Sequence, residues 1–314
     1  MKKVMNLRFA GKLVALAALF ALGAVALPRA HAQAAGHKTF SSPDEAVVTF
    51  IRAVRDGNTP DLLAILGPGS EELVSSGDSV ADKAARERFL AAYDLKHSLS
   101  GEGSRQLSLN IGKDGDPFPV PLAHDGGKWY WDGAAGMQEF LRRRVKSNEL
   151  AAMEVCKRAV AAQRDYAKIG HDNLPARTYA QQLMSDPGKR NGLYWQASEW
   201  QLELHSPAGP MLAQARAEGY APGKGLPYHG YRFSILTAQG ANAKGGAHSY
   251  IAGGLMTRGF AFLAYPAGYR STGVMTFIVS DDGTVYQKDL GERTAEIARQ
   301  MTEYNPDSTW TAVK

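Results

Sequence analysis

The sequence predicts an α+β protein, with N-terminal helices and a curved antiparallel sheet followed by a helix packed on a C-terminal antiparallel sheet. Three observations carry this. Apolar residues recur at helical spacing early in the chain, as in Ala46, Val47, Phe50, Ile51 and Val54, whereas Leu107, Leu109 and Ile111 alternate with polar neighbours. A second helical stripe, Ala152, Val155, Cys156, Ala159, Val160, Gln163 and Tyr166, opens the second half. The last third reads as strand-like runs punctuated by turn residues, with Asp282-Gly283 as a hairpin signal. Helices and strands that segregate in this way describe α+β rather than alternating α/β architecture.

The first 32 residues have the layout of a secretory signal peptide. Lys2, Lys3, Arg8 and Lys12 precede an uncharged apolar run, Leu13 to Leu27, and Ala30-His31-Ala32 supplies small residues for cleavage. The mature chain is expected to begin near Gln33, periplasmic or secreted, with residues 33–39 as a tether. Five of the 36 basic residues lie before the cut and no acidic one does, which leaves 31 basic against 31 acidic residues. The apparent basicity therefore belongs to the signal, and no nucleic-acid partner is expected. No later apolar stretch reaches the roughly 18 residues of a bilayer span, so no membrane span is expected after cleavage. The single cysteine, Cys156, cannot form an internal disulfide, and its place on an apolar stripe reads as core.

An N-terminal α+β domain is expected over 40–146. Ser42 caps its first helix, with Pro43 at the first helical position and Glu45 three residues after the cap. Residues 61–66 and 80–95 supply two further helices. Phe118-Pro-Val-Pro-Leu122 reads as an extended edge, because proline cannot donate to a ladder. Asp125-Gly126-Gly127 turns the chain into Lys128-Trp129-Tyr130-Trp131. A helix over 136–146 is expected to end at the boundary, and Ser147 or Asn148 to cap a new one running to about 169; one bent helix through the boundary is the alternative. The second domain, 147–314, continues through turn-rich residues 170–228, a short helix at 208–217, strands at 231–237, 259–264, 273–280 and 284–288, and a helix at 293–301.

Signatures of chemistry are sparse. The histidines lack metal-ligand spacing, Gly-x-Ser-x-Gly does not occur, and Gly240-Ala-Asn-Ala-Lys-Gly-Gly departs from a phosphate loop. Neither metal nor cofactor is expected. Arg142-Arg143-Arg144 cannot all face one ligand, since successive helical residues point about 100° apart; one or two are expected to pair with Glu139 or Glu149, leaving the rest solvated. Arg143, Asn148, Glu149 and Gln163 are candidate junction residues. Gln163, a polar group on an apolar stripe, needs a partner, expected in the backbone of neighbouring loops. Tyr194, Trp195 and Trp200 are candidates for lining a groove. If the sheet brings His229 and His248 together, they could share a pocket with Tyr194, Tyr231 and Gln239.

Across its length the chain carries Phe40-Ser-Ser-Pro-Asp-Glu-Ala, Pro117-Phe-Pro-Val-Pro-Leu, Arg142-Arg-Arg-Val-Lys-Ser-Asn-Glu-Leu, Ala162-Gln-Arg-Asp-Tyr-Ala, Gly192-Leu-Tyr-Trp, Ser206-Pro-Ala-Gly-Pro, Tyr228-His-Gly-Tyr and Gly273-Val-Met-Thr-Phe. On these it resembles a family of exported bacterial proteins known only as a domain of unknown function, which implies no activity. Gly230-Tyr-Arg-Phe-Ser, Ala264-Tyr-Pro, Thr276-Phe-Ile-Val and Gly283-Thr-Val, after a helix ending in Ala-Gln-x-x-Tyr, are distantly similar to the heads of type IV pilins and type II secretion pseudopilins. That likeness implies a helix on an antiparallel sheet, but the pilin assembly helix and processing site are missing. Gly127-Lys-Trp-Tyr-Trp-Asp, following helices, is similar to the cone-shaped folds related to nuclear transport factor 2.

The function expected on these grounds is a non-catalytic binding or envelope-associated module, whose partner is an unidentified envelope protein, glycan or small molecule. Two alternatives are a hydrolase built on the converging histidines and a small-molecule carrier whose cavity opens beside Trp129 or Trp131.

Overall fold

The computed structural model describes residues 36–101, 105–196, 206–221 and 227–313. The expected signal sequence, its expected cleavage point and Trp200 lie outside them. The fold is α+β, and Gly36–Lys314 form one compact unit. The end of the expected tether is already tied down: Lys38 N donates to Ala64 O (2.9 Å), and His37 Nδ1 lies 3.1 Å from Trp131 O.

Helices come first. In α1 (Pro43–Asp56) the Ser42 hydroxyl accepts from Glu45 N (3.1 Å), and Glu45 reaches back to Ser41 N (2.8 Å). Its stripe of Ala46, Val47, Phe50, Ile51 and Val54 is buried, and Gly57 at φ 61° ends it in the left-handed conformation glycine tolerates. α2 (Thr59–Leu66) starts two residues earlier than predicted because Asn58 caps it. A single turn, α3 (Glu71–Val74), precedes α4 (Ser79–Leu95), whose cap is Asp78.

Five strands follow: β1 (His97–Ser100), β2 (Gln106–Ile111), β3 (Asp116–Pro117), β4 (Leu122–Asp125) and β5 (Lys128–Trp131). They pair antiparallel in the order β1-β2-β4-β5, with β3 also on β2. The predicted extended edge is interrupted: residues 118–121 leave the ladder between β3 and β4, and Pro119 and Pro121 have no N–H to give it. Phe40, Phe50, Leu109, Val120, Leu122 and Trp131 fill the first core.

The largest correction concerns the next helix. α5 runs unbroken from Gly133 to Tyr166, roughly 50 Å at 1.5 Å per residue, through the position where a break was expected. Ser147 and Asn148 can cap a helix, but nothing between Met137 and Tyr166 stops one: the stretch has no glycine or proline. Its first half packs on the first core through Met137 and Phe140. Its second half buries Ala152, Cys156, Ala159, Val160 and Tyr166 in a second core.

The second core rests on an antiparallel sheet of β6 (Tyr231–Leu236), β11 (Ala261–Pro266), β12 (Met275–Ser280), β13 (Val285–Asp289) and β15 (Thr311–Ala312), in the order β15-β13-β12-β11-β6. α5 packs on β11 and β12. Every residue of β11 is buried, as befits a strand with neighbours on both edges and helices against it. Around this sheet lie α6 (Gly209–Ala217), β7 (Ala238–Gln239), β8 (His248–Ser249), the hairpin β9 (Ile251–Ala252) and β10 (Leu255–Met256), α7 (Thr294–Gln300) and β14 (Glu303–Tyr304). β14, β7 and β8 form a small separate sheet.

A polar joint and an apolar cavity

The two cores meet at a cluster of polar residues around Asp78. Ser75 and Ser76 hold Asp82, which fixes the turn before α4. Asp78 is 1% exposed. Its Oδ1 caps α4 by accepting from Ala81 N (3.0 Å). Its Oδ2 accepts from the Tyr220 hydroxyl (2.9 Å) and from Gly230 N (3.1 Å). A carboxylate this deep needs several donors to offset its lost hydration, and two of the three come from the distant segment before β6.

That segment is shaped to deliver them. His229 and Gly230 both have positive φ, 49° and 73°. A Cβ on Gly230 would lie 2.6 Å from Asn148 Nδ2, so only glycine allows the backbone this close to α5. His229 N donates to the Tyr220 oxygen (3.2 Å), and its Nε2 lies 3.0 Å from Glu218 Oε2. The latter contact is Coulombic when the imidazole is protonated rather than a directed hydrogen bond: Glu218 Oε2 is buried and has no hydrogen-bond partner among the described residues. Burial, then the Glu218 charge, pushes the neighbouring Tyr228 phenol up to about 12.

Beside this joint opens a cavity of about 770 Å³, inside the range of small-molecule sites. Phe50, Phe89, Phe118 and Phe140 give it aromatic walls, and Glu218, Tyr220 and His229 stand on its border. Trp129 and Trp131, the expected mouth of a cone-domain cavity, do not line it. Trp131 is fully buried with its indole N–H on Ala46 O (3.2 Å), and Trp129 bridges to Phe40 and stacks on His124.

The arginine run divides as helix geometry demands. Arg142 and Arg143 both bond Glu139, at 2.7 and 2.6 Å, holding its carboxyl down at about 2. Arg143 also donates to Pro117 O (3.0 Å). Arg144 lines the cavity together with Arg143, its guanidinium 5.0 Å from the centre of the Phe140 ring. Burial draws its pKa below the ordinary arginine value, against the opposing pull of Asp82 and Glu72. Glu149, expected as an arginine partner, accepts instead from the backbone of Val274 and Met275, each at 3.0 Å. Asn148 donates to Thr272 O (2.9 Å). Both side chains thus tie α5 to the start of β12. Gln163 gives its amide N–H to Ala180 O (2.7 Å) and takes Ala180 N on its oxygen (2.9 Å).

The five side chains proposed to converge do not. His229 precedes β6 and borders the cavity. Gln239 and His248 face each other across β7 and β8, beyond the other end of β6. The five steps of β6 alone separate them by roughly 16 Å at about 3.3 Å per residue. His248 Nδ1 lies 3.1 Å from Gly246 O, and Gln239 donates to the carbonyls of Lys244 and Gly246 at 2.8 Å each. Tyr231 is in the core, donating to Met275 O (2.9 Å). Tyr194 and Trp195 are buried in the second core, Tyr194 under the Arg216 guanidinium and Trp195 against His171 and Tyr166. Asp78 and Tyr220 were not singled out from the sequence, and Arg144 only as one of a run expected to be paired or solvated. Asp78 was legible as a cap just ahead of a helical stripe; Tyr220 carries no sequence signal.

No curated protein and no solved structure matches the chain, so the likeness to pilin heads and to nuclear transport factor 2-related folds rests on residue order alone. A family model does match, and it spans residues 37–313, both cores and the cavity included; the chain belongs to that family, the proteins of unknown function DUF2950.

Proposed function

We propose that this is an exported binding protein that holds a small, largely apolar molecule in the cavity of its first core, bordered by the segment before β6. The cavity carries the reading: about 770 Å³ walled by four phenylalanines, in a fold whose other large side chains interdigitate. Water gains little from such walls, while a hydrocarbon or aromatic ligand removes their surface from solvent at roughly 25 cal/mol per Å². The division of labour supports it further. Asp78, Asn148 and Glu149 hold the surrounding elements together, leaving the aromatic walls without a comparable polar task. Export is supported by the charged, apolar and small-residue layout of residues 1–32.

The test is titration of the purified protein with the neutral fluorophore N-phenyl-1-naphthylamine. Saturable binding at one site is expected, together with its loss in Ala84→Trp, which places an indole on the cavity wall. A protein that melts cooperatively yet shows no saturable uptake would sink the proposal.

A further inference from the structure

Resting on the binding reading above, we infer that the ligand is an anionic amphiphile, with its oxyanion head on Arg144 and its hydrocarbon along Phe50, Phe89 and Phe118. Arg144 is the anomaly of the cavity. Its Nη1 is buried and has no hydrogen-bond partner among the described residues. Arg144 as a whole is half-buried; an arginine keeps its proton, and the desolvated part of its charge calls for a partner. The face of Phe140 answers part of it, but a ring offers no lone pair to an N–H.

The neighbouring acids do not supply one. Asp82 and Glu72 act on Arg144 through space, yet neither is in an ion pair with it among the described residues. Both Asp82 oxygens are occupied by Ser75 and Ser76. The adjacent Arg142 and Arg143 share Glu139; Arg143 and Arg144 both line the cavity, and of the two only Arg144 has no oxygen partner among the described residues. Arg86 and Arg88 also line it and make no ion pair among the described residues, which adds to the positive potential. The acids on the lining are Asp82, Asp116 and Glu218; the first is bonded by serines and the last lies beside His229. A guanidinium at the end of an aromatic trough selects a molecule with one oxyanion and one apolar tail. Carboxylate and phosphate heads share this chemistry.

The experiment is competition of dodecanoate, dodecyl phosphate and dodecanol against N-phenyl-1-naphthylamine at pH 7.5, on the wild type and on Arg144→Met. At least one of the two anions is expected to bind roughly 10- to 100-fold more tightly than dodecanol, as a charge-assisted hydrogen bond allows. The order of the two anions tells a carboxylate from a phosphate source. In Arg144→Met the advantage should vanish while dodecanol binding persists, which also shows that the variant is folded. Arg142→Met should keep it. If dodecanol equals both anions in the wild type, or if the preference survives in Arg144→Met, the anionic head is refuted and the apolar-ligand reading stands. If neither the fluorophore nor any of the three binds, the binding reading fails first.

Discussion

Replacing Asp78 by alanine strips one buried side chain of three bonds: the cap on Ala81 N, the acceptor for Tyr220 and the acceptor for Gly230 N. Loss of the cap costs about 1 kcal/mol. The Gly230 N–H and the Tyr220 hydroxyl are left in a buried site without an acceptor, at about 1–3 kcal/mol each. Tyr220 still accepts from His229 N, so its share falls at the low end. The total is about 3–5 kcal/mol, which lowers Tm by roughly 6–15 °C for a chain of this size. Tyr220→Phe removes one of the three bonds and also the acceptor of His229 N, and should cost about 2 kcal/mol. Asp78→Asn keeps an oxygen for the cap but sets an amide donor against two donors, and should fall between. Circular-dichroism melts of the three variants at equal concentration make the comparison. If Asp78→Ala costs no more than Tyr220→Phe, the carboxylate is a helix cap alone and the joint is held by other contacts.

Three other outcomes follow from the same accounting of buried groups. Gln163→Leu should cost about 2–4 kcal/mol, because it leaves both backbone groups of Ala180 unpaired in the second core; faster hydrogen exchange at the Ala180 amide, beside a lowered Tm, locates the loss. At high pH the Cys156 thiol and the Tyr166, Tyr228 and Tyr304 phenols, each pushed up to about 12 by burial, stay protonated in the fold. Unfolded, they ionise near 9 and 10, so their stabilisation is complete below pH 9 and is lost as pH rises towards 12. Denaturant melts from pH 8 to 11.5, with phenolate absorbance, should show falling stability and a late-titrating tyrosine class. Cys156 should stay inert to thiol reagents at pH 8 until the protein unfolds; prompt labelling of the native state would contradict its burial.

What could be read along the chain was whatever depends on near neighbours. Ser42, Pro43 and Glu45 mark the start of α1 because capping needs only three or four consecutive residues. The stripe from Ala152 to Tyr166 marks a buried helix face because helical spacing is local. The continuity of α5 stands only as an alternative along the chain, for the complementary reason. Ser147 and Asn148 resemble a cap in sequence, but a helix stops only when its backbone leaves the helical region, and contacts on both cores hold this one there. Arg144 was the hardest to place: three identical neighbours differ only in which way α5 turns each of them.

The sequence by itself determined the α+β class, the helical faces and the main turns, since propensity, capping and periodicity act over a few residues. Tertiary structure alone decided the joint and the cavity. It set Asp78 against Tyr220 and Gly230, some 150 residues away along the chain, left His229 and His248 beyond opposite ends of one strand, and set the Arg144 guanidinium against Phe140 on the wall of the cavity. A cavity is the space that packed elements fail to fill, and no short stretch of sequence encodes that space: it exists only once α1, α4 and α5 have been fixed against one another.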